Sequence, residues 1–164
     1  MAHIRLSLII LLSGFWSANG IIARNRVIIS KKLFVVSVVT DKGDTLATMP
    51  CAVGLNCGQK KKKGDMKTPE GTCRISMIQN AKKWTHDFKD GAGKRIGAYG
   101  PWFIRLTVPR FNGIGIHGTC FPESIGSRCS EGCIRLLNED LKKLVGFIKK
   151  GDVVIIEKDD IQEQ

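Results

Sequence analysis

The chain is expected to fold as one mainly β domain, sandwich-like, with a single principal α-helix near the C-terminus. Three observations predict this class. Short β-branched runs bounded by turn residues recur along the chain, such as KLFVVSVVT at 32–40 and DVVIIE at 152–157. Only one segment, around 139–150, carries apolar residues at helical spacing. A length of 164 residues with 43% hydrophobic and 25% charged content supports one real core and leaves no room for a second domain.

The elements follow in order. Residues 32–40 read as a strand, Asp41, Lys42, Gly43 and Asp44 as a turn, and 45–53 as the antiparallel partner. Residues 54–67, rich in glycine and lysine, read as a loop, and 72–78 as the next strand. The polar, glycine-dotted stretch 80–100, with Trp84, His86 and Phe88 inside it, reads as a long loop. Strands are expected at 102–108 and 113–117, with Asn112 and Gly113 at the turn between them. Asn138 suits a helix N-cap, and Glu139 and Asp140 suit the positive end of the helix dipole. Leu141, Leu144, Val145 and Ile148 then make one apolar face, and Gly151 ends the helix. Residues 152–157 form a last strand, and the polar tail 158–164 is expected to fray.

The N-terminus has the layout of an export signal. Arg5 precedes an apolar run from Leu6 to Trp16, and Ala18 and Gly20 offer small residues at a cleavage site. The run is shorter than the roughly 20 residues a membrane span needs, so no stable membrane insertion is expected after its removal. The division is therefore a signal peptide at 1–20, a lead-in at 21–31, the domain proper at 32–157 and the tail. The expected location is the periplasm or cell envelope.

A formal net charge of +11 points to an acidic partner. No helix-turn-helix, zinc finger or RNP-type pattern accompanies it, so charge alone speaks for nucleic acid, and no nucleic-acid partner is expected. The run Lys60, Lys61, Lys62 and Lys63 reads as a solvated loop, with electrostatic steering as the sharper alternative.

Chemistry concentrates between Ile116 and Asp140, in IHGTCFPESIGSRCSEGCIRLLNED. His117 lies in a glycine-flanked apolar run, and Cys133 follows sixteen positions later, after Gly132 and before Ile134 and Arg135. A thiol becomes a strong nucleophile when a base takes its proton, and these residues supply both parts. His117, Gly118 and Thr119 followed by Ser130, Glu131, Gly132, Cys133, Ile134 and Arg135 resemble the catalytic signature of the L,D-transpeptidases, the YkuD-type domain of bacterial peptidoglycan-remodelling enzymes. Upstream, Thr68, Pro69, Glu70, Gly71, Thr72, Cys73, Arg74 and Ile75 are similar to the family's Thr-Pro-x-Gly-x-Phe-x-Ile strand, and Tyr99, Gly100, Pro101 and Trp102 lie where the family often has aromatic residues. The resemblance covers residues 32–157. Two positions depart from it: Glu131 stands where many members have histidine, and Cys73 stands for a phenylalanine.

The resemblance implies that Cys133 attacks a tetrapeptide stem of peptidoglycan and that His117 manages the proton. Gly118, through its carbonyl, would orient the imidazole. Arg135 would bind the substrate carboxylate. The Cys133 N–H, with the Tyr99 hydroxyl, would stabilise the oxyanion, and Ser130 and Gly132 are counted with the substrate-binding or oxyanion residues. An amine on a neighbouring stem would take the acyl group in a 3→3 cross-link. A water acceptor would make the enzyme a carboxypeptidase or hydrolase, and a protein lysine would make it a wall-anchoring enzyme. A catalytically silent wall-binding module is the reading from another class. No cofactor is required. A zinc site from His117, Cys120, Cys129 and Cys133 lacks a Cys-x-x-Cys knuckle. Six cysteines in an exported chain suggest disulfides, with Cys120–Cys129 and Cys51–Cys57 as the expected pairs and Cys73 as a buried free thiol. His86 is expected as an exposed loop residue. No oligomeric state follows from the sequence.

Overall fold

The computed structural model describes residues 24–159. The expected signal peptide and the last five residues lie outside these. Strand β1, Arg26–Ser30, alternates so that Val27 and Ile29 point into the core. It lies within the expected lead-in. Strands β2, Val35–Val39, and β3, Thr45–Gly54, form the hairpin that the turn residues at 41–44 predict. β4, Gly71–Asn80, pairs antiparallel with β7, Trp102–Leu106. Between them, the stretch expected as loop contains a small hairpin of β5, Thr85–Asp87, and β6, Lys94–Ile96. β8 is Gly115–His117, β9 is Arg128–Ser130 and β10 is Ile134–Leu136. Helix α1, Asn138–Phe147, and strand β11, Val153–Ile156, complete the chain.

The expected mainly β class with one helix holds, and the sheet closes on itself like a barrel. Nine strands run in the order β10-β8-β7-β4-β11-β1-β2-β3-β9, and β10 also pairs with β3. That second pairing is antiparallel, Arg135 to Ala52 and Leu136 to Cys51, whereas β10 runs parallel to β8. The enclosed core is built from β-branched side chains such as Val36, Val38, Ile104, Ile116, Ile134 and Val154, which pack well on a pleated surface. Leu141, Leu144 and Ile148 of the helix face bury against it.

Two expectations about the helix are corrected. Leu137, not Asn138, occupies the N-cap, and no side chain caps the helix there. Asn138 is the first helical residue, and its side-chain oxygen accepts the Thr119 N–H at 3.1 Å. The helix also ends before Gly151: Ile148 is the C-cap in an extended conformation, and the Asp152 carboxylate accepts the Lys149 N–H at 2.8 Å.

Candidate active site

Cys133 stands at the mouth of β10, where a tight loop delivers it. Gly132 adopts φ of +130°, and a Cβ there would come within 2.8 Å of the Lys67 carbonyl oxygen, so the position excludes other residues. The Ser130 hydroxyl donates to the Cys133 carbonyl at 2.6 Å and accepts the Gly132 N–H at 3.1 Å, pinning the loop from within. The Cys133 Sγ–H points to the Gly113 carbonyl at 3.4 Å.

His117 ends β8, and the parallel register sets it opposite Arg135 of β10. Cys133, two residues before Arg135, therefore reaches the same end of the strand pair, and all three side chains line one cavity of about 410 Å³. The imidazole is 4% exposed. It stacks on Phe103 with centroids 5.5 Å apart and meets Tyr99 edge-on at 4.9 Å. Nδ1 faces the Gly118 carbonyl at 2.6 Å. A carbonyl only accepts, so Nδ1 carries the proton and Nε2 is left as a lone pair. The Gly118 N–H in turn donates to the Tyr99 carbonyl at 2.8 Å. A Cβ on Gly118 or Gly100 would collide with the Asn138 side-chain oxygen, so the glycines admit the amide that ties the histidine strand to the helix start.

Burial disfavours the charged form of both side chains. Burial pushes the His117 imidazole down to about 3, and the nearby Arg135 charge works the same way, against the Gly118 hydrogen bond. Burial likewise raises the Cys133 thiol, although a backbone hydrogen bond from Gly115 and the charges of Arg135 and Lys60 pull it back. A neutral thiol and a neutral imidazole lining one cavity can serve as proton donor and acceptor.

Arg135 lies over the Phe88 ring at 5.7 Å and donates toward Cys129 Sγ at 3.7 Å. With Lys60, Lys63 and Arg105, it makes the cavity predominantly cationic, against the carboxylate of Glu131. Such a lining favours a substrate bearing carboxylates. Among the described residues, no group of three or more His, Cys, Asp or Glu side chains is placed to hold a metal ion.

A model of the L,D-transpeptidase catalytic domain, YkuD, matches residues 24–156. The chain belongs to the L,D-transpeptidase catalytic-domain family. It is 37% identical over 62 residues to a Bacillus subtilis protein provisionally named L,D-transpeptidase YkuD, a stretch that spans 38% of this chain and 36% of that relative. The L,D-transpeptidase fold recurs in L,D-transpeptidase 3 of Mycobacterium tuberculosis, solved with a faropenem-derived adduct, at a TM-score of 0.62 and 18% identity, covering 83% of this chain and 61% of that one. The helical cell shape determining protein Pgp2 of Campylobacter jejuni matches at a TM-score of 0.60 and 25% identity, over 87% of this chain and half of that one.

Several sequence expectations for this L,D-transpeptidase domain need correction. All six cysteines are free thiols, so neither expected disulfide forms. Cys51 is buried in β3, where desolvation raises its thiol to about 12, whereas Cys57 is exposed. Cys73 is buried and free, as expected. Lys60 is not solvated: it pairs with Asp65 at 2.7 Å, lies over Phe111 and lines the cavity. His86 is not a free loop residue either. It lines the cavity, 3.1 Å from the Tyr99 hydroxyl and 3.4 Å from the Glu131 carboxylate. Trp84, which meets Tyr99 edge-on and Phe103 at a tilt, was equally hidden in the expected loop. The signal available for both was aromatic density at 84–88 in an otherwise polar stretch.

Proposed function

We propose that the protein is a peptidoglycan L,D-transpeptidase with Cys133 as nucleophile and His117 as general base and acid. One observation carries the reading: parallel pairing of β8 and β10 sets His117 opposite Arg135, with Cys133 two residues before it on the same cavity. Nε2 of His117 takes the thiol proton as Sγ attacks the carbonyl of the third stem residue. The Cys133 N–H stabilises the oxyanion. Collapse breaks the C–N bond, and the terminal D-alanine leaves with the proton returned by His117. An amine of a neighbouring stem then attacks the thioester, gives its proton to His117, and releases Cys133 as the thiolate that recovers it. Arg135 holds a stem carboxylate through its planar fork. Substrates with several carboxylates fit the cationic lining.

Export fits the N-terminal pattern and this substrate, so the mature chain should begin near Ile21 outside the inner membrane. N-terminal sequencing of native protein that began at Met1 in a cytosolic fraction would overturn that part. The function itself is tested by incubating the mature protein with purified muropeptides and analysing the products by mass spectrometry. Cross-linked dimers are expected, and none from Cys133→Ala, which should keep its fold by circular dichroism. A carbapenem should add covalently to the wild type and not to this variant. Trimmed tripeptides alone would reassign the enzyme to hydrolysis, and an adduct at another cysteine would remove Cys133 from its role.

A further inference from the structure

Lys60 is a buried cation on the wall of the cavity, and the steps above leave it unused. It is 7% exposed, yet it lines the same cavity as Cys133, His117 and Arg135. A lysine is seldom buried without a partner. Here the partner is Asp65 at 2.7 Å, and the ammonium also lies over the Phe111 ring at 5.3 Å. Lys63, on the same loop, is exposed and offers charge without a fixed position.

Asp65 holds more than this one pair. Its Oδ1 also accepts the Lys67 N–H at 3.2 Å, and its Oδ2 accepts the N–H groups of Lys61 at 2.7 Å and Lys62 at 3.0 Å. Burial works to raise this carboxyl, but the Lys60 ammonium and the three N–H groups outweigh it and hold the group well below the usual carboxylate range. The lysine loop is therefore wound around one carboxylate. Its far end abuts the nucleophile loop, since the Lys67 carbonyl oxygen is what a Cβ at Gly132 would strike.

This arrangement leaves Lys60 with unspent capacity. The charge of Asp65 is shared among four donors. An ammonium has three N–H donors. Among the described residues Lys60 uses one of them, on Asp65. The others, and much of its charge, are left for whatever enters the cavity. Burial dominates the Cys133 thiol, and the Lys60 charge is among those that oppose it, so the field of this lysine reaches the nucleophile. A cation fixed before binding also loses little freedom when it binds.

We propose that Lys60 is a specificity-determining residue that receives a side-chain carboxylate of the donor stem, a different one from that held by Arg135, and that Asp65 is the residue that positions it. The donor is then selected for a free carboxylate at that place, and the same stem carrying a carboxamide there is a poor substrate. The identity of the donor rests on the acyl-transfer reading. The cation presented to Cys133 does not.

Two measurements keep these apart. The first compares a tetrapeptide stem whose side-chain carboxylates are free with the same stem carrying carboxamides there, its chain-terminal carboxylate kept in both. The mature wild type should favour the free form about tenfold in kcat/KM, mostly through KM. Lys60→Met, which keeps the apolar stem over Phe111, should lose most of that preference, and Lys60→Arg should restore part of it. Asp65→Asn removes a negative charge, so a role through the field alone would enlarge the preference. Positioning predicts that the preference falls, and an enlarged preference would overturn the role of Asp65. Equal kcat/KM for the two donors in the wild type would overturn the selection by Lys60 while leaving the transpeptidase reading intact. The second measurement needs no stem. Iodoacetate and iodoacetamide both alkylate a thiolate with loss of iodide and differ by one carboxylate. The ratio of their rates at Cys133, read by mass spectrometry of its peptide, should fall about threefold in Lys60→Met. An unchanged ratio would overturn the proposal. A wild type that acts on neither stem would sink the transpeptidase reading, and the alkylation ratio would still decide whether Lys60 serves the cavity.

Discussion

His117 illustrates how much a single side chain's environment sets. In an unfolded chain it binds a proton near pH 6.5, and in the fold burial delays this to about 3. Between those values the unfolded state holds more protons, so acidification destabilises the fold. Stability contributed by this group is complete above about pH 6.5 and should fall by up to about 1.4 kcal/mol per pH unit toward pH 3. Urea unfolding at steps from pH 7 to 4 checks this, and His117→Phe should show a shallower decline; equal slopes would mean the histidine is not buried neutral. Arg135 makes a second residue-scale case. Arg135→Lys keeps the charge but loses the planar fork, so kcat/KM should fall about tenfold or more, beyond any surface Arg→Lys change. An unchanged kcat/KM would confine Arg135 to its contacts with Phe88 and Cys129.

At the scale of elements, the candidate site is held by joints between strands, loop and helix. Asn138 starts α1 and reaches back to the Thr119 N–H, occupying space that Gly100 and Gly118 leave open. Asn138→Ala should strand that N–H and cost about 1–2 kcal/mol in urea unfolding. Gly118→Ala should cost more, because its Cβ meets the Asn138 oxygen and pushes the carbonyl that orients His117. A thermal midpoint for Gly118→Ala equal to the wild type's would show that the joint is loose. The β5–β6 hairpin belongs here as well. Phe88 packs on Phe121 with centroids 5.0 Å apart, and Arg95 lies over that same ring at 4.9 Å.

The whole molecule closes through its sheet and through charge. β10 bridges β8 and β3, so the strand pair that carries His117 and Arg135 is also the seam of the barrel. Away from the site, Lys31 is 1% exposed and sits between Glu70 at 2.7 Å and Asp159 at 3.0 Å, while Asp159 also pairs with Arg128 at 2.7 Å. The expected fraying tail is therefore anchored at Asp159, which also accepts the Gly58 N–H. This network joins the C-terminal strand to β9 and to the loop after β3. Asp159→Ala should destabilise by about 2 kcal/mol, less than the loss of an isolated buried pair because Lys31 keeps Glu70. Urea midpoints test it, and no change would mean that the tail is held elsewhere.

What the sequence determined by itself is local. The hairpin at 32–53 was legible from β-branched runs around a turn, α1 from the spacing of Leu141, Leu144 and Ile148, and the shared cavity of His117 and Cys133 from a motif whose glycines have steric reasons. These signals arise from neighbours in the chain. Strands β5, β6, β9 and β10 were not legible because each has three residues, too few for an alternation to register, and each is strand only through its partners. β1 was hidden for a related reason: it follows an apolar leader and shows itself only in its pairing with β2 and β11. Only the tertiary structure decided that Lys60 is buried with Asp65, that the cysteines stay apart, and that His86 meets Glu131 across 45 residues of chain. Each depends on desolvation and on contacts between distant segments, which spacing along the chain does not encode.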